Sequence, residues 1–240
     1  MSLRLLLVFL VFFLTFGPLT MSEASTDPSV TATMNEPLLE ASVASLQTTL
    51  YTLRTKLDRT DPSGMYGYVH GTRLLIQRGL TLAEEQQEHA ETIKQALIPV
   101  TYNLAADTWT GLPDDEGNPA YLRIGLEAAT LNLKLRREKQ QTGQKLAMGL
   151  WMLGVHQLAA GDYVSAQTTF EEYRSVAEDG DEPSAMLMAH GWLIMTQILA
   201  GDARKEDLST FDKIRKDLSA QPDGKFYVRQ MDTALERFSD

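Results

Sequence analysis

The chain has 240 residues and not one cysteine, so a disulfide framework, a thiolate metal site, a cysteine nucleophile and a cysteine-borne lipid are all excluded. Aromatic residues are scarce at 8%, and 9 prolines and 16 glycines are too few for a collagenous or low-complexity polymer. Cations are in deficit. The 22 Lys and Arg stand against 32 Asp and Glu, a formal charge of -10 that repels phosphate backbones and argues against a nucleic-acid partner. Also missing are the Gly-x-Ser-x-Gly elbow, the phosphate-binding loop and the dinucleotide fingerprint. No stretch alternates as a half-buried strand would. What is present is 43% hydrophobic sequence with helical spacing, enough for one sizeable core, and the fold class it implies is all-α.

At the N-terminus Arg4 precedes the apolar run Leu5 to Phe16, then Gly17-Pro18 and Ser22-Glu23-Ala24, with small residues at the minus-three and minus-one positions of a cleavage site. The run falls short of the roughly twenty residues that span a bilayer, so the expectation is a secretory signal over residues 1–24. The alternative is an uncleaved inner-membrane anchor through residues 5–19. Residues 25–35 are small, polar and aperiodic, a flexible lead-in, and residues 36–240 form a single all-α helical-repeat domain. An exported chain without cysteine fits a bacterial periplasmic or extracellular setting better than a eukaryotic secreted one.

Leu39, Val43, Leu46, Leu50, Leu53 and Leu57 draw one apolar stripe along a helix that ends before Asp61-Pro62. The stripe either packs on the rest of the chain or pairs with a second copy as a short coiled coil. Met65 to Leu80 keeps helical spacing through Gly67, Gly71 and Gly79, glycines that permit close helix contact. Thr81-Leu82-Ala83-Glu84 has the form of a capping box opening a new helix, which Pro99 should end or kink. Thr110 to Pro119 is the longest internal loop, and its acidic run Asp114-Asp115-Glu116 is a solvated tip. The next helix carries the stripe Leu122, Leu126, Ala129 and Leu133 and ends in the basic cluster Lys134 to Lys139, where cations favour a helix C-terminus. Further breaks at Gly161, Gly180 to Pro183, Gly201 and Pro222 to Gly224 complete a series of antiparallel helical hairpins.

Two ten-residue windows offset by 40, Leu153 to Asp162 and Leu193 to Asp202, repeat Leu, Gln, Ala, Gly and Asp in place. Trp151 and Trp192 precede them. Downstream, Phe170, Tyr173 and Ala177 align with Phe211, Ile214 and Leu218 after a one-residue slip. Each unit reads as a hairpin turning at Ala-Gly-Asp: glycine adopts the left-handed conformation after the first helix, and aspartate caps the second.

Leu153, Gly154, Gly161, Asp162, Tyr163, Ala166 and Phe170 fall at the spacing of the tetratricopeptide repeat, which the chain resembles over about residues 146–219. The second copy departs from it, with Ile194 at the early glycine and Glu206 at the packing alanine. The resemblance implies a helical-repeat fold and a protein-interaction habit. It also implies that first helices line a binding face, here Met148, Trp151, Val155, Leu158 and Ala159 from one repeat and Met188, Met195, Ile198 and Leu199 from the next. That face is apolar and methionine-rich and supplies no basic or amide group for a terminal carboxylate, so it suits an apolar helix or peptide segment. The competing expectation is that it packs against the chain's own upstream helices.

Of the histidines His70, His89, His156 and His190, none lies in a His-Glu-x-x-His or Glu-x-x-His pattern. Glu85 and His89 read as a surface pair four residues apart, and His156 and His190 as hydrogen-bonded core histidines. No catalytic residue, metal or cofactor is implied. The functional expectation is a non-catalytic interaction protein holding an envelope protein or an apolar peptide segment. The alternatives are a helical enzyme or small-ligand binder with a site assembled from distant residues, and a structural protein self-associating through residues 39–57.

Overall fold

The computed structural model of the chain describes residues 45, 48, 49, 51–59, 61–109, 119–180 and 182–239. The expected leader, the lead-in, Leu39, Val43, Leu46 and Leu50 of the stripe, and the acidic tip at 114–116 lie outside the described residues. Among the described residues the fold is all-α, built as antiparallel helical hairpins without a strand. A helical stretch at 51–56 leads into α1 (Pro62–Glu85). A single 3-10 turn (Gln87–His89) separates α1 from α2 (Ala90–Thr108). There follow α3 (Pro119–Glu138), α4 (Gly143–Ala159), α5 (Tyr163–Asp179), α6 (Pro183–Ala200), α7 (Lys205–Ser219) and α8 (Gly224–Phe238). Each helix packs mainly on the next, while α8 also folds back onto α6 and reaches α4, and α2 reaches α4. None of these helices is long and apolar enough to cross a membrane.

Local chemistry accounts for some of the boundaries. Asp61 accepts hydrogen bonds from the Ser63 and Gly64 amides at 3.0 Å each and caps α1, with Pro62 at its first position where no amide partner is needed. Leu53 and Leu57 of the stripe pack on the chain itself: a Cβ at Gly71 would lie 3.0 Å from Leu53 and one at Gly67 3.4 Å from Leu57. The same stretch is pinned by charge, because Asp107 near the end of α2 accepts from Tyr68 Oη at 2.5 Å and from Arg59 at 2.8 Å, with Arg54 at 3.3 Å.

Two expected boundaries move. The Thr81 to Glu84 box does not open a helix, since α1 runs through it to Glu85. Leu82 and Ala83 bury against Ile93 of α2, and that burial carries the helix past the local start signal. Nor does Pro99 end α2. Pro99 and Gln95 are both exposed, so the Gln95 carbonyl deprived of its partner four residues on meets water.

The hairpin turns follow the repeat. Gly161 and Gly201 adopt φ of +74° and +77°, the left-handed region that side chains resist. Asp162 caps α5 by accepting from the Ser165 amide at 3.1 Å. Asp202 does not cap α7, which starts two residues later than the repeat would place it, with Arg204 and Asp207 forming the box at its N-terminus. A Cβ at Gly161 would meet no atom within 4 Å, so a substitution there costs conformational strain alone. Gly161→Ala should lower stability by about 1 kcal/mol in urea unfolding, whereas Gly180→Ala, where φ is already -84°, should not lower it.

Candidate functional site

All three tryptophans converge where α2, α4 and α6 meet. Trp109 lies 5.7 Å from Trp151 and 6.0 Å from Trp192, centroid to centroid, and Trp151 lies 6.5 Å from Trp192, all edge to face. Phe170 of α5 stacks on Trp192 at 5.8 Å. Trp109 also donates its indole N–H to the Val155 carbonyl at 3.2 Å. In return His156 of α4 donates from Nε2 to the Ala105 carbonyl at 3.0 Å. That carbonyl is among the last four of α2, which have no partner four residues on, and Thr108 Oγ1 shares it at 3.1 Å. Helix α3 closes over this tie at Gly125, where a Cβ would fall 2.3 Å from His156 Cε1 and 2.4 Å from Thr108 Oγ1.

This junction decides the expected binding face. Val155, Leu158, Met188 and Met195 are buried and hold the hairpins to one another, so they form core and not an open surface. Met148, Trp151, Ala159, Ile198 and Leu199 are half-buried. Since α4 and α6 both run antiparallel to α5, Ile198 and Leu199 take the level of Leu158 and Ala159, about 15 Å along the axis from Met148. The half-buried residues therefore do not form one patch. Burial of the face follows from α4 and α6 being apolar nearly all round, which demands neighbours on every side.

Polar side chains missed by sequence reasoning run through the interior beside it. Asn132 of α3 donates to the Ile98 carbonyl at 2.7 Å and to Thr101 Oγ1 at 3.0 Å, binding α3 to α2. Its oxygen accepts from Arg136 Nε at 2.7 Å, and Arg136 Nη1 donates to Gln141 Oε1 at 3.0 Å and to the Lys145 carbonyl at 2.7 Å. Arg136 is only 5% exposed, not the solvated last-turn cation its cluster suggests, while Arg137 and Lys139 do pair at the surface with Glu172 and Glu91. A signal existed: Gly125, Ala129, Asn132 and Arg136 are spaced 4-3-4, one turn-to-turn line on the buried face of α3. The stripe chosen from the sequence lies partly beside that line, for Leu122 and Leu126 are half-buried.

The outward side of α3 carries a shallow, open depression of about 480 Å³ among its own side chains Arg123, Leu126, Glu127, Thr130, Leu131 and Lys134. A recess of about 160 Å³ against Leu80 of α1 and Leu104 of α2 joins it at Glu127 and Leu131. Arg73 and Arg123 share Glu127, at 3.1 and 3.5 Å, and Lys94 and Lys134 share Glu138, at 2.9 and 3.8 Å. Four cations thus surround two carboxylates, a local reversal of the chain's acidic balance.

The histidines take separate places. His70 packs on Tyr66 at 4.2 Å, and His190 is exposed, which corrects its expected place in the core. Glu85 and His89 do not pair: α1 ends between them, Glu85 accepts from Arg78 at 3.2 Å, and His89 lies 3.4 Å from Glu88. Among the described residues no group of three or more His, Asp or Glu could hold a metal ion.

His156 is wholly buried with its Nδ1 unpaired, and burial pushes its pKa down to about 4, against the bond to Ala105. Between that value and the ordinary 6.5 the unfolded chain binds the proton and the folded chain does not. Stability from this group is therefore whole above pH 6.5, declines as pH falls, and levels off below 4, a span of about 3 kcal/mol. Urea midpoints measured across that range should show the decline in the wild type and lose this component in His156→Gln.

No family model, curated protein or solved structure matches the chain.

Proposed function

We propose that the protein is an exported, non-catalytic helical-repeat module that holds an apolar helical segment of an envelope protein along α3. The observation that carries this reading is the outward face of α3, where residues 123, 127, 130 and 134 follow one line for three turns with Leu126 on one side of it and Leu131 on the other. A partner helix lying beside that line finds apolar contact at its flanks, with Leu131 adjoining the recess against Leu80 and Leu104. The surplus of Arg73, Arg123, Lys94 and Lys134 over Glu127 and Glu138 favours acidic residues at its flanks. Export is supported by the order of Arg4, the apolar run and Ser22-Glu23-Ala24. The tetratricopeptide-like spacing of residues 146–219 supports an interaction role, although four of the nine residues on the face it would nominate are buried.

Two measurements check the reading. A photo-crosslinker at Thr130, which is exposed, should trap one envelope protein through an apolar segment with acidic flanks, and an equivalent probe at exposed Lys213 should not. Reversing Arg123 and Lys134 to Glu should weaken that adduct at least tenfold while the helical circular-dichroism signal is unchanged. Equal adducts from both probes, or indifference to the reversal, would overturn it. The mass of the protein recovered from the producing cell should correspond to a chain beginning at Ser25, and an intact Met1 would replace release by anchoring.

A further inference from the structure

Helices α1 and α3 both pack along α2 and scarcely touch each other, so α2 forms the floor of a cleft between them. At one end the cleft is crossed by His70 and Tyr121, edge to face at 6.4 Å, and by the Arg73–Glu127 ion pair at 3.1 Å. That pair stands on the rim of the recess of about 160 Å³. Leu104 of α2, Ile76 of α1, and Ile124 and Ala128 of α3 line its depth, and all four are buried. Leu80 and Leu131, half-buried, form the walls nearer the solvent. The recess opens where the α3 line Ile124, Ala128, Leu131 carries its smallest side chain.

Nothing in that depth can hydrogen-bond an occupant, because its side chains are aliphatic and its backbone groups bond within their own helices. An apolar cavity of about 150 Å³ takes a benzene-sized group, so the recess has room for one leucine or phenylalanine side chain. The Arg73–Glu127 pair does not close it: each side chain is more than a third exposed, and such pairs hold weakly. Charge specifies what flanks the occupant. Glu127 is shared by Arg73 and Arg123, and Glu138 by Lys94 and Lys134, so cations outnumber carboxylates at both places. The two carboxylates are eleven residues apart, about 16 Å along α3, and the recess lies at the level of the first.

We propose that this recess is an anchor pocket: it takes one leucine or phenylalanine side chain from a partner helix that carries an acidic residue within one turn of that anchor and another about two turns away on its other side. The inference rests on the reading of α3 as a docking face and adds which residue of the partner decides binding. Because α1 supplies Ile76 and Leu80 to the pocket while α3 supplies Ile124 and Leu131, the partner lies over the cleft between the two helices. The nearer acid meets Arg73 and Arg123 at the rim, and the farther one meets Lys94 and Lys134.

The test uses the full chain and two synthetic helices, blocked at both ends, in an alanine-glutamine background. One carries a single leucine with glutamate four and seven residues to either side, which suits either chain direction, and the other has alanine in place of the leucine. Methyl NMR of the wild type should show saturable shifts at Ile76, Leu104 and Ile124 with the leucine helix, and at least tenfold weaker binding of the alanine helix at equal charge. Ala128→Leu, which fills the recess from within, should abolish those shifts without lowering the urea midpoint. If Ala128→Leu does not fold, the comparison of the two helices on the wild type decides alone. No saturable binding, equal binding of the two helices, shifts away from the recess, or binding unchanged in Ala128→Leu would overturn the pocket. The two readings fail separately. An adduct at Thr130 that survives Ala128→Leu keeps the docking face and overturns the pocket, whereas recess binding of the leucine helix with no adduct at Thr130 keeps the pocket and overturns the envelope partner.

Discussion

The end of α2 is tied to the middle of α4 by two hydrogen bonds that run in opposite directions, Trp109 to the Val155 carbonyl and His156 to the Ala105 carbonyl. Much else follows from that tie. A helix end inside a core leaves carbonyls that water cannot reach, and here a histidine from the neighbouring hairpin satisfies one of them. Because each helix contributes both a donor and an acceptor, their axial register is set without a loop to hold it. Gly125 then lets α3 close over the pair, and α5 and α6 stack outward from the aromatic face so created.

A second set of buried polar groups works by similar means. Asn132 reads two positions on α2 with one amide, and Arg136 carries the connection to the first turn of α4. These bonds satisfy each other's donors and acceptors in the interior and fix where α3 sits along α2 and α4. At the other edge, Asp107 gathers Tyr68, Arg59 and Arg54 and ties the first described helical stretch to α2.

How much of this was legible in the sequence differs by element. The turns at Gly161 and Gly201 and the cap at Asp162 were legible, because a left-handed glycine and a capping carboxylate act through bonds a few residues long. So was the fold class, since helical spacing recurs through every segment. The Thr81 start signal misled because burial of Leu82 and Ala83 outweighs a cap worth about 1 kcal/mol. The candidate face was ambiguous for a different reason. Residues 148 to 199 are apolar whether they meet a partner or a neighbouring helix, and spacing within a helix carries no information about what lies opposite. Arg136 escaped notice for the same reason: its line with Asn132 is visible, but the acceptors at Gln141 and Lys145 belong to the far side of a turn.

Confining every indole to one junction also makes the molecule a selective optical reporter. Intrinsic tryptophan emission arises only where Trp109, Trp151 and Trp192 meet, and carries no indole signal from α1. Far-ultraviolet ellipticity weighs all the helices together. In a stack whose members touch mainly their sequence neighbours, the ends can fray before the middle opens. The gap between the two signals along a denaturation curve therefore measures how far unfolding has travelled inward before it reaches the indoles.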